Sequence, residues 1–393
     1  MTSGTFPSRM IYLDNSATTP LDPLVAEAMK PYLGEKFGNA SSIHSLGREA
    51  RLALEDSRNS IASAIGADPA EIVFTSGGTE ANNHAIKGSI FAAVKSGKHF
   101  DELSAITSEA EHYAILEPMD FLESLGVKIL RSKVGGDGVV EVEGIASQFG
   151  KDLTFASFML VNNEVGSINP VKGLAGRVRS ASPNAIIHTD AVQGLGRMDI
   201  DVKELGVDLL SLSAHKIHGP KGIGALFIRR GVKLEPLLHG GSQERNRRGG
   251  TESVALAVGF GEAVRQMESA KQASREQVRM VQEYAIKRLA ALPEVSFNSP
   301  KDGVDGILNI SFTADVLKRL DSEALLIRFD MEGIAVSNGA ACTSGSLQPS
   351  HVLAAMGKGN EIASKSVRVS FSHLNRTEEI DRFIEVLQKI IRD

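Results

Sequence analysis

Tryptophan is absent from this chain, and cysteine occurs once, at Cys342. A single thiol excludes an internal disulfide and fits a reducing cytoplasm. No apolar run approaches the roughly 18 residues of a membrane span. Met1 to Met10 carries one arginine and no apolar core, so it does not read as a secretion signal. A strong charge of either sign is also missing. Acids and bases are interspersed, the net charge is −5, and no basic block suggests nucleic acid or anionic lipid as a partner. There is no internal repeat, heptad array or low-complexity tail. What is present is 393 residues, 42% apolar and 23% charged, enough for two or three domains with large cores.

Strand and helix patterns alternate along most of the chain. Apolar runs at Glu71–Ser76, Leu103–Ser108, Val127–Arg131, Thr154–Val161, Ala185–Thr189, Val207–Leu212 and Gly224–Ile228 read as strands. Helical patterns fall at Asp22–Leu33, Gly47–Ile65, Tyr113–Leu125 and Val171–Ser180, and one opens at Ala81. Such alternation implies an α/β fold, a mostly parallel sheet with helices on both faces. Beyond it lie a long helix, Ser269–Leu292, strands at Leu308–Phe312, Ile334–Ser337 and Ser366–Ser370, and helices at Ser322–Met331 and from Thr377 on. These read as a smaller α+β domain. The expected division is 21–264 for the large domain and 265–393 for the small one, with residues 1–20 packing near the latter.

Several polar residues fall where an open α/β sheet binds ligands, just past strand C-termini. Lys216, in Ser213-Ala214-His215-Lys216-Ile217-His218-Gly219-Pro220, follows a buried strand and precedes a turn. A lysine in a partly dry pocket has a lowered pKa and suits a Schiff base. Asp190, in His188-Thr189-Asp190-Ala191-Val192-Gln193, and Asn163 lie on the same rim. Asp190 reads either as a helix N-cap or as the partner of a cationic ring. Gly77-Gly78-Thr79-Glu80, between a strand and a helix, forms an anion site, or Thr79 is simply the N-cap. Cys342, in Asn338-Gly339-Ala340-Ala341-Cys342-Thr343-Ser344-Gly345-Ser346, is a buried small hydrophobe or an exposed reactive thiol, and its glycine- and serine-rich setting argues for exposure. The loop His239–Thr251, polar, basic and glycine-rich, is solvated or reaches an anion. His215 and His218 are three apart but lack companion ligands, so no metal is expected. A Schiff-base lysine, an acid for a pyridinium nitrogen and a phosphate cup together describe pyridoxal 5′-phosphate.

The chain resembles the cysteine desulfurases, in the class V aminotransferase group of fold-type I pyridoxal phosphate enzymes, over nearly its whole length. The resemblance is carried by Tyr12-Leu13-Asp14-Asn15-Ser16-Ala17-Thr18-Thr19-Pro20, Phe74-Thr75-Ser76-Gly77-Gly78-Thr79-Glu80, Asn162-Asn163-Glu164-Val165-Gly166, Ser213-Ala214-His215-Lys216 and Arg248-Gly249-Gly250-Thr251. Ala341-Cys342-Thr343-Ser344 resembles the branch with a long mobile cysteine loop.

The resemblance implies a seven-stranded, mostly parallel sheet in the large domain. It makes Lys216 the Schiff-base lysine and the base for the Cα proton. His112 stacks on the ring as an acid/base, Asp190 pairs with the ring nitrogen, and Gln193 bonds the phenolic oxygen. Gly78, Thr79, Ser213 and His215 hold the phosphate, joined by Thr251 of a second subunit. Arg368 clamps the substrate carboxylate with Asn163, and Cys342 takes the sulfur of L-cysteine. A homodimer and a sulfur-acceptor protein, an iron–sulfur scaffold or another sulfur-delivery system, follow from the same resemblance. Two departures stand out: Ala40 where proline is common, and Ser372-His373 where Gly-Arg is usual. Other functions consistent with these residues are a selenocysteine lyase, a transaminase of the same fold, or a non-catalytic scaffold.

Overall fold

The computed structural model describes residues 10–339, 342–343 and 346–392, with the backbone alone at 323, 342–343 and 346–347. After a short strand β1 (Ile11–Tyr12) come the strands of the main sheet. They are β2 (Ile72–Thr75), β3 (Ser104–Ser108), β4 (Lys128–Ser132), β5 (Phe155–Ser157), β6 (Ile186–Asp190), β7 (Leu209–Ser213) and β8 (Gly224–Ile228). Their spatial order is β2-β8-β7-β6-β5-β3-β4. All neighbours are parallel except β8, which runs antiparallel to β7 and β2.

Successive residues of these strands face opposite ways. Ala105, Phe155, Leu209 and Leu226 pack into one core with the helices Gly78–Lys95 and Tyr113–Ser124. Their neighbours Ile106, Ala156, Leu210 and Phe227 enter a second core with Ser45–Ala64, Val171–Ala181 and Val254–Ser269. Burial on both faces explains why the strands read as unbroken apolar runs.

The remaining strands are β9 (Val295–Phe297), β10 (Ile307–Phe312), β11 (Ile334–Ala335), β12 (Cys342–Thr343), β13 (Ser346–Leu347) and β14 (Val367–Ser370). β14, β10 and β9 form an antiparallel sheet over a separate apolar core with Lys271–Leu289 and Thr377–Arg392. β1 pairs in parallel with β11, and Leu13 enters the core of this smaller sheet.

Three local expectations change. The helix Val254–Ser269 has no counterpart in the sequence reading, and the expected long helix is confined to Lys271–Leu289, after a break at Ala270. Gly259 and Gly261 weaken the helical pattern of that stretch, yet they are what lets it pack. A Cβ at Gly261 would meet the Ser57 backbone at 2.7 Å, and one at Gly259 would meet Met29 Sδ at 2.5 Å. The second change is at β5, which stops at Ser157 rather than Val161. There the Glu111 side chain accepts the Met159 N–H at 2.7 Å, taking the place of a strand partner. Third, the helix expected to open at Ala81 opens at Gly78.

Candidate active site

A cavity of ≈ 350 Å³ lies at the C-terminal ends of β5, β6 and β7. Lys216, Gly78, Thr79, His112, Asp190, Gln193, Ser213, His215, Asn163 and Arg368 all line it. A larger cavity, ≈ 440 Å³, adjoins Lys216 but contains none of the other nine.

Lys216 ends a single 3₁₀ turn, Ala214–Lys216, that leaves β7. Its Nζ donates to the carbonyls of Ser16 (2.5 Å) and Ala17 (2.9 Å). Burial, then the nearby guanidinium groups of Arg368 and Arg197, brings its pKa down from 10.5 to about 7. Removing an ammonium from water disfavours its charge, so a useful fraction of the amine is neutral at ordinary pH.

Asp190 closes β6 and is buried. It caps no α-helix; Oδ1 accepts the Val192 N–H and Oδ2 accepts Asn82 Nδ2 at 2.7 Å. Gln193 Nε2 donates to Ser16 O, and its buried Oε1 has no partner among the described residues.

The helix Gly78–Lys95 points its first turn at the cavity, with Gly77 at the N-cap and no side-chain cap. The Thr79 hydroxyl is therefore not used as a cap. A Cβ at Gly78 would lie 2.8 Å from Val192 Cγ2, so the backbone comes close to the cavity floor only because glycine is there. Ser213 is buried beside it, and His215 Nδ1 lies 3.1 Å from Thr18 Oγ1. Free N–H groups, the helix dipole and hydroxyls make an anion cradle.

His112 caps the helix Tyr113–Ser124, its Nδ1 accepting the Ala114 N–H at 3.0 Å. That bond leaves the proton of the neutral ring on Nε2. Its pKa is lowered, chiefly by burial, with Asp190 pulling the other way. The preceding Glu111 is fully buried, and burial raises its carboxyl to about 8. Arg368, on β14, donates from Nη2 to Asp14 Oδ1 (2.8 Å) and from Nη1 to the Asn163 carbonyl (3.0 Å), while its buried Nε finds no acceptor among the described residues. It brings the smaller sheet onto the cavity.

Two expected site residues are not brought in. Thr251 is exposed and away from the cavity of its own chain. Cys342 begins β12, paired with Leu347, but its side chain is outside the described residues. The basic loop preceding Thr251 is largely exposed, as its polar composition suggested, but it is pinned at two points. Arg248 pairs with Glu80 at 3.0 Å. Glu244 is buried against Arg58 at 2.8 and 2.9 Å. Glu244, Arg245 and Asn246 all have left-handed backbone, φ 44°, 56° and 63°.

Sequence reasoning missed several contributors: Asn82, Asp14, Glu164 and His351. Asn82 falls one helical turn after Gly78, a spacing that could have flagged it. Asp14 sits inside a stretch already singled out. Glu164 and His351 line the cavity; Glu164 accepts from Ser350 Oγ, and His351 Nε2 lies 2.8 Å from Glu111 O. Glu164 also sits inside a stretch already singled out, whereas no local pattern pointed to His351.

The aminotransferase class-V family model matches residues 11–383. The chain belongs to the cysteine desulfurase branch of the class-V aminotransferases. It is 45% identical over 385 residues to the cysteine desulfurase IscS of Dictyoglomus turgidum, covering 98% of this chain and 95% of that protein. A solved NifS-like protein superposes with a TM-score of 0.89 at 34% identity, over 98% of this chain and 99% of the other. A structure described as SspA in complex with cysteine gives 0.81 at 33% identity, over 92% and 98%. The match to the class-V aminotransferases begins at Ile11, so it takes in the turn whose carbonyls receive Lys216. Among the described residues of this desulfurase-branch chain, no helix is long and apolar enough to cross a membrane, and no group of three or more His, Cys, Asp or Glu is placed to hold a metal ion.

Proposed function

We propose that this chain is a pyridoxal 5′-phosphate-dependent cysteine desulfurase that converts L-cysteine to L-alanine and receives the sulfur on Cys342. The observation that carries this reading is Lys216, with its pKa near 7, in one cavity with Asp190, Arg368 and an uncapped helix start. The cavity suits the cofactor: a buried carboxylate for a ring nitrogen, a glycine-floored anion cradle, and a buried Gln193 Oε1 without a partner. When bound, the cofactor supplies an electron sink for the substrate's Cα–H and Cβ–S bonds.

The chain's own residues do the rest. Lys216 would hold the cofactor through its neutral amine, and the same amine, when free, would take the Cα proton. Asp190 keeps the ring nitrogen protonated; Asn82 and the Val192 N–H hold that carboxylate in place. Gly78, Thr79, Ser213 and His215 take the phosphate, with Thr251 reaching in from a second subunit. Gln193 faces the ring's oxygen. Arg368 would grip the substrate carboxylate with Asn163 assisting, its guanidinium oriented by Asp14. With Ser372 and His373 in place of the usual Gly-Arg, no second arginine shares that work. His112 offers its Nε2 for proton transfer. The Cys342 thiolate would bond the substrate's sulfur as the Cβ–S bond breaks, the electron pair of that bond staying on Cβ, which takes up a proton so that the carbon skeleton leaves as alanine. The resulting persulfide serves an acceptor protein such as an iron–sulfur scaffold.

A homodimer in the cytoplasm completes the proposal. It is supported by an exposed apolar run at Leu24, Leu33, Phe37, Ile43 and Leu52. Residues 21–264 and 265–393 are our reading of the two units, with the Ala270 break close to their junction. The test is Cys342→Ser. With L-cysteine the variant should still change the cofactor's absorbance but form neither persulfide nor sulfide. Sulfide release at the wild-type rate would overturn the assignment.

A further inference from the structure

The larger cavity, ≈ 440 Å³, shares Lys216 with the active site, and the turn holding Lys216 borders both. Ser16 and Ala17 line the smaller cavity, and Thr19 lines the larger. Much of its wall is apolar: Leu195, Met198, Met267, Val278 and Phe371. Two guanidinium groups, Arg197 and Arg275, stand over that wall.

Their bonding is incomplete. Arg197 donates from Nη1 to the Asp305 carbonyl at 3.2 Å and has no carboxylate partner among the described residues. Of the three acids that line the cavity, Asp22 accepts the Leu24 N–H at 2.7 Å, and the other two are engaged by other cations. Asp199 pairs with Lys271 (2.7 Å) and Arg275 (3.1 Å), and the Asp305 carboxylate pairs with Arg279 (3.0 Å). Nη2 of Arg275 is buried and finds no acceptor among the described residues. A recessed guanidinium without a counter-ion is costly unless an anion joins it, and the planar fork fits a carboxylate. A hydrated inorganic anion would satisfy the arginines but leave the apolar wall wet. The volume lies in the range of small-molecule sites.

We propose that this second cavity binds a small apolar monocarboxylic acid, its carboxylate on Arg197 and Arg275 and its body on the Met198, Met267 and Phe371 wall, and that occupancy is sensed at Lys216. The second half follows from proximity. Arg197 is one of the cations that hold the Lys216 amine below its usual range, after burial and Arg368. An anion on Arg197 offsets that repulsion, so the amine, or its linkage to the cofactor, holds its proton to higher pH.

The test uses the purified full-length protein with its cofactor. Calorimetric titrations with octanoate and 3-phenylpropionate are compared with octanol, 3-phenylpropanol and sulfate. One saturable site per chain is expected for the carboxylates. Affinity should fall about tenfold or more for the alcohols and for Arg197→Met, the loss of a charge-assisted hydrogen bond. Saturating L-cysteine should not compete, and octanoate should move the pH titration of the cofactor's absorbance upward. Met267→Trp, which fills the apolar wall, should abolish binding while leaving that titration in place, and it decides the matter if Arg197→Met does not fold. The proposal is overturned by absence of saturable carboxylate binding, by unchanged binding in a folded Arg197→Met or Met267→Trp, by equal binding of sulfate, or by competition from L-cysteine, which would put the ligand in the active site.

Discussion

Lys216 is useful because burial and two guanidinium groups deny it water and a counter-charge. Burial weighs most, Arg368 and Arg197 add repulsion, and Asp14 and Asp190 only partly offset them. The sign is that of a depressed base. Below pH 7 the amine is charged and unreactive; above it the neutral nucleophile dominates, well before a solvated lysine would lose its proton. Cofactor-free protein should therefore take up pyridoxal phosphate with a rate that rises through pH about 7 and levels off. Stopped-flow absorbance measures this, and a rise centred near 10 would show the lysine to be solvated. Lysine and aspartate could be picked out because each sits in a local motif, whereas Arg368 is implied only by the family resemblance. Glu111 could not, since its role depends on Met159, distant in sequence, and for Asn82 the one local hint is its spacing from Gly78, its partner Asp190 being distant.

At the scale of elements, the strand–turn–helix units were legible because apolar runs and glycines are local signals. What escaped was the helix Val254–Ser269, whose glycines look unfavourable until Ser45–Ala64 is packed against it. The early end of β5 escaped for a related reason, because a carboxylate replaced a strand there. Gly261→Val places methyl groups where only 2.7 Å separates a Cβ from the Ser57 backbone. It should cost about 1–3 kcal/mol, the usual range for overpacking, read as a lower urea midpoint. An unchanged midpoint would mean the two helices slide apart freely.

On the scale of the whole molecule, the two sheets meet at the cavity through Arg368, Asp14 and the turn from Ser16 to Thr19. Alternation along the chain anticipated the large sheet; the antiparallel pairing of β8 with β2 and the β1–β11 pairing rest on contacts far apart in sequence. Exposed Phe37 and Ile43 are the natural test of assembly. Replacing both with aspartate should turn a dimer into monomers in sedimentation, and lower activity because Thr251 would no longer reach a partner's site. A double variant that stays dimeric would place the interface elsewhere. The loop before Thr251 bears on how that assembly proceeds. Three successive left-handed residues without a glycine cost about 1–3 kcal/mol each and persist only where the surroundings impose them. Here the buried Glu244–Arg58 fork does so within a single chain. In the proposed dimer the arm would thus arrive at its encounter already shaped, and docking of two copies would not wait for this loop to organise itself.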